Sequence, residues 1–219
     1  MILYDYILSP DCYKIRLLAA LTGQRLTLQA VDYHPGAEHR SAAFRRLNPA
    51  GTIPVLQDGA LILTESAAIL TYLAAMSGPE WLGEDTPQMR GQVAQWLAFA
   101  HRLSASIGKA RSHDMLQQPA DIDACRRAGV ACLQELESAL TEQRIMGFAH
   151  LAGARPTLAD IACFPHAMLA PDGGISTDAY PAIRLWTRSL RALPGFIEMP
   201  GVHRLHELKP EPIGTAGQD

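Results

Sequence analysis

Residues 48–66, NPAGTIPVLQDGALILTES, carry the clearest indication of fold in this chain. Their two short apolar runs, residues 53–57 and 60–63, are separated by Asp58-Gly59, the strongest two-residue signal for a β-hairpin. Across residues 65–76 the apolar side chains recur at helical spacing instead. The segment therefore predicts two antiparallel strands that are followed at once by a helix.

The sequence on the amino-terminal side of this hairpin alternates between extended and helical patterns. Residues 2–8 are rich in β-forming side chains, and Ser9-Pro10 then opens a helix. Residues 26–31 alternate as a second strand, and residues 38–47 form a short polar helix or turn. The predicted order for residues 1–78 is βαβαββα.

The rest of the chain has helical character, so we predict an α+β protein with a second, all-helical domain. Residues 79–86 are rich in glycine and proline and are assigned as a linker. Residues 87–207 contain two long amphipathic patterns, and Thr157 and Asp160 have the spacing of a capping box. Residues 208–219, which are rich in proline and glycine, are predicted to be a C-terminal tail that is either a surface strap or disordered.

The composition excludes several functional classes. The 219 residues are 48% hydrophobic and 19% charged, which is an ordinary balance for a soluble protein, and no apolar run approaches the roughly 18 residues of a membrane span. The net charge of -3 provides no positive field for a phosphate backbone, so we expect neither a membrane nor a nucleic acid as partner. The amino terminus lacks the basic region of a signal peptide and predicts a cytoplasmic protein.

Metal-ligating and redox-active residue types form no recognisable pattern. The cysteines at positions 12, 125, 132 and 163 form neither a CxxC pair nor a zinc spacing, and we predict free thiols. His203 and His206 have the spacing of two helical ligands, but no third ligand accompanies them. No metal site is therefore predicted.

Ser9 and Cys12 lie where the first strand gives way to a helix. If Pro10 is the first helical residue, Ser9 caps the helix, and the free N–H groups behind it form a small anion site. Cys12 is either a thiol activated by the helix N-terminus or a small buried residue. Capping alone also accounts for Ser9, so the residues leave both roles open.

Two further groups are suited to binding the atoms of a peptide. A cis bond between Ile53 and Pro54 would leave the N–H and C=O of Ile53 free to pair with an extended peptide, although trans bonds are far more common. Glu65 can hold an ammonium group, and Ser66 at a helix N-terminus can bind a carboxylate, which together fit an amino-acid head. Helix capping by the same two residues is the simpler alternative.

Taken together, these groups resemble the glutathione transferase family. The resemblance rests on five segments that span most of the chain: SPDCYKIR, EHRSAAF, NPAGTIPVL, ESAAIL and TLADIACFPHAML. It points to bacterial, serine-type members of theta-, tau- or zeta-like character. It implies a thioredoxin-like first domain, a helical second domain, a cis bond before Pro54, a homodimer, and glutathione as co-substrate without any cofactor.

The resemblance also implies a role for each candidate residue. Ser9 is the implied catalytic hydroxyl, which keeps the glutathione thiol ionised for attack on a small apolar electrophile. The implied glutathione contacts are Glu65 and Ser66 for the γ-glutamyl end, Ile53 before Pro54 for the cysteinyl backbone, and His39 and Thr52 for the glycyl end. Thr52 replaces the lysine or glutamine that is common at this position of the family.

Three alternative functions remain beside this interpretation. Cys12 could form a mixed disulfide with glutathione, as in omega- and beta-like members, in a thiol-transfer reaction. The chain could instead be a glutathione-binding or interaction protein of the same fold without turnover. It could also isomerise maleylacetoacetate like zeta-like members, whose SSCS segment is absent here.

Several other residues are candidates whose simpler interpretation is structural. Tyr4 and Tyr6 lie in the first strand, where other branches use a tyrosine, but strand alternation favours packing for both. Four further residues could line a second-substrate site, although a core or surface position is the default for each. These are Trp96, His101, Arg102 and Arg111.

Overall fold

The computed structural model describes residues 1–200 and contains the predicted βαβαββα unit. The final part of the predicted helical domain, the predicted tail at 208–219, and His203 and His206 lie outside the described residues. The elements of the unit are β1 (Ile2–Asp5), α1 (Pro10–Leu21), β2 (Thr27–Ala30), α2 (Ala42–Leu47), β3 (Val55–Asp58), β4 (Leu61–Leu63) and α3 (Ser66–Ser77). A 3-10 turn, Glu38–Arg40, precedes α2.

The four strands form one mixed sheet in the order β2-β1-β3-β4. β1 runs parallel to β2 and antiparallel to β3, and β3 pairs with β4 through the predicted hairpin. Gly59 in that hairpin has φ +57°, a conformation that glycine adopts without a steric penalty. The predicted fold class is therefore confirmed for the first part of the chain.

Successive side chains of β1 and β3 point to alternate faces of the sheet, and both faces are covered by helices. Leu3 and Leu56 are opposite each other in the register and are buried in the main core with α1 and α3. Their neighbours Tyr4 and Val55 point to the other face, where Phe44 of α2 covers them. This two-sided covering fixes the strand ends from which the candidate site residues extend.

The second part of the described chain is helical, as predicted. Its helices are α4 (Pro87–Leu103), α5 (Lys109–Leu116), α6 (Ile122–Ile145), α7 (Leu158–Met168) and α8 (Pro181–Arg191). A π-helical turn, Ser104–Gly108, joins α4 to α5, and the backbone stays right-handed helical through both junctions. Two 3-10 turns, Pro79–Leu82 in the predicted linker and Ala170–Gly173 after α7, complete the described elements.

Asp160 connects three parts of the helical region. Its carboxylate is fully buried and accepts hydrogen bonds from the N–H groups of Leu151 at 3.0 Å and Thr157 at 2.9 Å, and from the indole N–H of Trp186 at 2.8 Å. The contact with Thr157 belongs to the predicted capping box, which is confirmed. Asp160 thereby links the start of α7 to the preceding loop and to α8.

A search of residues 1–200 for membrane-spanning helices is negative, since none there is both long and apolar enough.

We expect Asp160→Ala to lower the free energy of unfolding by about 3 kcal/mol, because three buried donors lose their acceptor. Chemical denaturation measures this loss. Asp123→Ala is the matched control, since Asp123 also lies in the first turn of a helix but is exposed. Equal stability losses in the two variants would contradict this account of Asp160.

Candidate functional site

Ser9 lies at the amino-terminal end of α1 and faces a large cavity. Its backbone is extended, with φ −81° and ψ 121°, and its hydroxyl oxygen accepts a hydrogen bond from the N–H of Cys12 at 3.2 Å. The cavity has a volume of about 910 Å³ and is lined by residues of both the βαβαββα unit and the helical region. Ser9 thus caps α1 and is also accessible from this cavity.

Cys12 is fully buried one turn into α1. Burial, followed by the charge of Asp5, raises the pKa of its thiol to about 12, although the contact with Ser9 acts in the opposite direction. The thiol is therefore protonated at neutral pH and shielded from a substrate. This environment argues against Cys12 as a thiol-transfer nucleophile and favours its interpretation as a buried packing residue.

The loop at residues 48–52 is built around the buried side chain of Asn48. Its amide N–H₂ donates to the carbonyl oxygen of Thr52 at 2.8 Å and to the Thr52 hydroxyl at 2.9 Å, while its amide oxygen accepts from the N–H of Ala50 at 3.1 Å. Gly51 has φ +63°, and a Cβ atom there would lie 2.9 Å from the carbonyl oxygen of His39. These contacts hold the chain that leads into Ile53.

The peptide bond between Ile53 and Pro54 is cis, as the resemblance implies. Among the hydrogen bonds found within residues 1–200, none involves the N–H or C=O of Ile53. Both Thr52 and Ile53 line the large cavity and also a second cavity of about 480 Å³. Ile53 therefore stands where the two cavities meet.

Glu65 and Ser66 line the second cavity at the start of α3, whereas Ser9 lines the large one. Glu65 directly precedes the helix, and its side chain is exposed and makes no capping hydrogen bond. The capping interpretation is therefore wrong for Glu65. Its carboxylate, next to the free N–H groups of the first turn, supplies a negative and a positive site side by side.

His39 lies at another edge of the large cavity and is only 5% exposed. Its ring stacks on Tyr33 with centroids 4.1 Å apart, and its Nε2 accepts a hydrogen bond from Nε of Arg40 at 3.3 Å. Burial, together with the charges of Arg40 and Arg45, lowers the pKa of His39, so the ring is neutral at pH 7. The exposed cations at this edge are Arg40 and Arg45, which the sequence reasoning missed.

A charged cluster surrounds Asp11, two residues after Ser9. Asp11 forms an ion pair with the buried Lys14 at 2.5 Å, accepts a hydrogen bond from the Ser104 hydroxyl at 2.8 Å, and lies 3.4 Å from Nε2 of His166. Burial raises the pKa of the Asp11 carboxyl, but Lys14 and His166 outweigh it and hold the pKa well below its usual range. Asp11 therefore stays ionised and ties α1 to the helical region.

Three comparisons with known proteins place this chain in a family. The family model described as the glutathione S-transferase N-terminal domain matches residues 8–76. Glutathione S-transferase 2 of Anopheles gambiae is 33% identical over 182 residues, which cover 81% of this chain and 84% of that protein. The chain belongs to the glutathione S-transferase family.

Two further similarities cover almost the whole molecule. The maleylacetoacetate isomerase of Pseudomonas aeruginosa is 30% identical over 90% of this chain and 93% of its own length. A crystal structure of a glutathione S-transferase from Pseudomonas fluorescens Pf-5 superimposes with a TM-score of 0.81 at 31% identity, over 91% of this chain and 98% of that one. Family membership supports glutathione transferase function at the level of the enzyme class.

Within this transferase fold, the two strand tyrosines have different positions. Tyr4 packs edge-on against Phe44, with ring centroids 6.2 Å apart, which confirms the packing interpretation. Tyr6 follows the end of β1 and lines the large cavity, with its ring 5.3 Å from that of Tyr33. The packing interpretation is therefore incomplete for Tyr6, because β1 ends before it and alternation no longer applies.

The four helical candidates divide into two pairs. Trp96 is part of the core, and Arg102 is exposed and pairs with Glu135 at 2.8 Å. His101 and Arg111 line the large cavity. Arg111 is buried, and it donates to the carbonyl oxygen of Leu8 at 2.7 Å, so it also holds the loop that carries Ser9.

No group of three or more histidine, cysteine, aspartate or glutamate side chains within residues 1–200 is arranged to hold a metal ion.

We expect Asp11→Asn to lower the free energy of unfolding at pH 7 by about 2–3 kcal/mol, because it leaves the buried Lys14 without its counter-charge. The folded-state pKa of Asp11 is depressed, so its stabilising effect is present above the unfolded pKa of 3.8 and is lost as pH falls through the folded value. Denaturation as a function of pH should show the two proteins converging in acid. An equal gap at every pH would contradict the ion pair, and exposed Asp178→Asn is the control.

Proposed function

We propose that this protein binds glutathione across its two cavities and uses the Ser9 hydroxyl to stabilise the thiolate, which then attacks a small electrophile. The observation that carries the proposal is the position of Ser9, which opens on the large cavity while Cys12 behind it is buried. Since its oxygen accepts from the Cys12 N–H, the hydroxyl proton is the part of Ser9 that can be donated to sulfur.

The magnitudes are sufficient for this role. A thiol with a reference pKa near 8.5 must be lowered by about two units to be mostly ionised at neutral pH, which requires roughly 2.7 kcal/mol. A hydrogen bond from a hydroxyl to a charged acceptor supplies about 1.5–3 kcal/mol, and a helix N-terminus adds about 0.3–1 kcal/mol. Ser9 at the start of α1 combines both effects at one place.

The order of binding groups along the two cavities supports an extended glutathione. The γ-glutamyl end carries both an ammonium and a carboxylate, which suit Glu65 and the N-terminus of α3 at Ser66. The cysteinyl backbone pairs with Ile53, whose polar atoms are free within the described residues. The glycyl carboxylate then lies beside Thr52 and the basic edge of the large cavity.

The role of His39 in this proposal differs from the direct glycyl contact that the resemblance implies. Because its ring is covered by Tyr33 and neutral, it supports the basic edge of the cavity rather than supplying a positive charge. Arg40 and Arg45 provide the charge that a carboxylate needs.

The alternatives are separated by different observations. Thiol transfer by Cys12 is disfavoured by burial of the thiol. Isomerisation is supported by the similarity to the Pseudomonas aeruginosa maleylacetoacetate isomerase and would use the same thiolate, so it is the second candidate function. A protein that binds glutathione without turnover would bind it tightly and show no activity towards any electrophile.

The homodimer and the cytoplasmic location remain predictions.

We expect Ser9→Ala to lower kcat/KM by roughly 10- to 100-fold, because the thiolate loses a charge-assisted hydrogen bond. The Kd for glutathione should change less than threefold, since the other contacts remain. Steady-state kinetics and calorimetric titration measure the two quantities. Thr86→Ala is the matched control, because Thr86 caps α4 in the same manner and does not line either cavity. Equal loss of catalysis and affinity in Ser9→Ala would argue against the role.

We expect Glu65→Gln to raise the KM for glutathione by about tenfold, because the ammonium of the γ-glutamyl group loses its counter-charge. Cysteinylglycine, which lacks the γ-glutamyl group, should serve as a poorer thiol that is insensitive to the substitution. Glu80→Gln, an exposed change outside both cavities, is the control. A similar effect of Glu65→Gln on both thiols would place the glutamyl end elsewhere.

A further inference from the structure

One face of the long helical path formed by α4, the π turn and α5 lines the large cavity. Its members recur at intervals of about one helical turn, and we call them the helical wall: His101, Ala105, Lys109, Ser112 and Leu116. Three of these five side chains are polar. The wall therefore differs from the purely apolar surface that the sequence-based expectation of an apolar electrophile requires.

A second part of the cavity lining, from the loop before α6 and the first turns of that helix, consists mostly of small side chains. The first turns of α6 contribute Ala124 and Ala128, and the loop before that helix contributes Pro119, with the polar Gln118 and Asp121 beside them. Leu116 of the helical wall adds an apolar side chain to the lining. A compact ring or short hydrocarbon body can be buried here next to the polar residues of the wall.

Three charged side chains that line the cavity are already engaged by other groups of the protein. Arg111 pairs with Asp172 at 3.0 Å, and Asp11 pairs with Lys14 at 2.5 Å. Asp121 caps α6 by accepting a hydrogen bond from the N–H of Ala124 at 3.0 Å. The basic edge at Arg40 and Arg45 is assigned above to the glycyl carboxylate of glutathione.

Lys109 of the helical wall differs from these engaged charges. It is exposed, and within residues 1–200 its ammonium group has neither an ion pair nor a hydrogen bond. An uncompensated cation beside a small apolar surface fits a molecule that is apolar at one end and anionic at the other.

We propose that the electrophile is a compact apolar molecule that bears a carboxylate, and that Lys109 binds this carboxylate. The inference rests on the proposed function and names its substrate class. The apolar part packs against Ala124 and Ala128, and the ion pair with Lys109 orients the electrophilic carbon towards the sulfur beside Ser9. Lys109 is thus a specificity-determining residue.

A matched pair of probes isolates the charge. They are para-chloro-meta-nitrobenzoate and the corresponding uncharged amide, which have the same ring and leaving group. In either reaction the thiolate forms a carbon–sulfur bond to the ring carbon that carries chlorine. The carbon–chlorine bond then breaks, chloride leaves with the electron pair, and the thiol proton is released to solvent.

The measured quantity is the kcat/KM for the benzoate divided by that for the amide. We expect Lys109→Gln to lower this ratio by roughly 5- to 10-fold and Lys109→Arg to preserve it, because the guanidinium retains the charge. Arg102→Gln is the control. It removes an exposed cation of the same helical path, and this cation pairs with Glu135 and does not line the cavity. This control should leave the ratio unchanged.

The outcomes separate the inference from the function on which it rests. If the wild-type protein conjugates the amide but Lys109→Gln leaves the ratio unchanged, the inference is overturned and the proposed function stands. If Lys109→Gln raises the KM for glutathione equally with both probes, Lys109 serves glutathione and the inference is overturned. If the wild-type protein conjugates neither probe nor any other electrophile, the proposed function fails and the inference falls with it.

Discussion

The anchoring of the first turn of α1 is the constraint on which the candidate site depends. The carbonyl oxygen of Ile7 accepts from Arg16 at 2.8 Å, and that of Leu8 accepts from Arg111 at 2.7 Å, so both residues ahead of Ser9 are held by buried guanidinium groups. Asp11, two residues after Ser9, is bound by side chains of the helical region. Ser9 is therefore positioned jointly by the sheet-containing unit and by the helices.

This anchoring explains why neighbouring residues of similar chemistry have different environments. A thiol at position 12 lies one turn inside the helix, where burial keeps it neutral, whereas the hydroxyl at position 9 is at the helix end and faces the cavity. The Asn48 loop acts in a comparable way on the other side, since its hydrogen bonds to Thr52 hold the chain next to Ile53. In the proposed complex, the N–H and C=O of Ile53 are thus held in position before an extended peptide binds, which reduces the entropic cost of binding.

Local sequence signals predicted much of this architecture, but contacts between distant residues did not follow from them. The Asp58-Gly59 hairpin and the Thr157–Asp160 capping box were predicted because turn and cap chemistry are properties of a few adjacent residues. The junction of α4 with α5, the exposure of Tyr6 to the cavity and the hydrogen bond from Arg111 to Leu8 depend on tertiary packing. The basic residues Arg40 and Arg45 were visible in the sequence, yet only the fold places them beside the Thr52 loop.

The amino-terminal end of α1 is proposed to ionise the thiol of glutathione, and the bound thiol itself reports on this ionisation. Glutathione can be titrated with pH in the presence of saturating protein while the ultraviolet absorbance of the thiolate is recorded. We expect the bound thiol to have a pKa about two units below the free value near 8.5, so that thiolate is the main form at neutral pH. A bound thiol that ionises at the same pH as free glutathione would contradict this expectation.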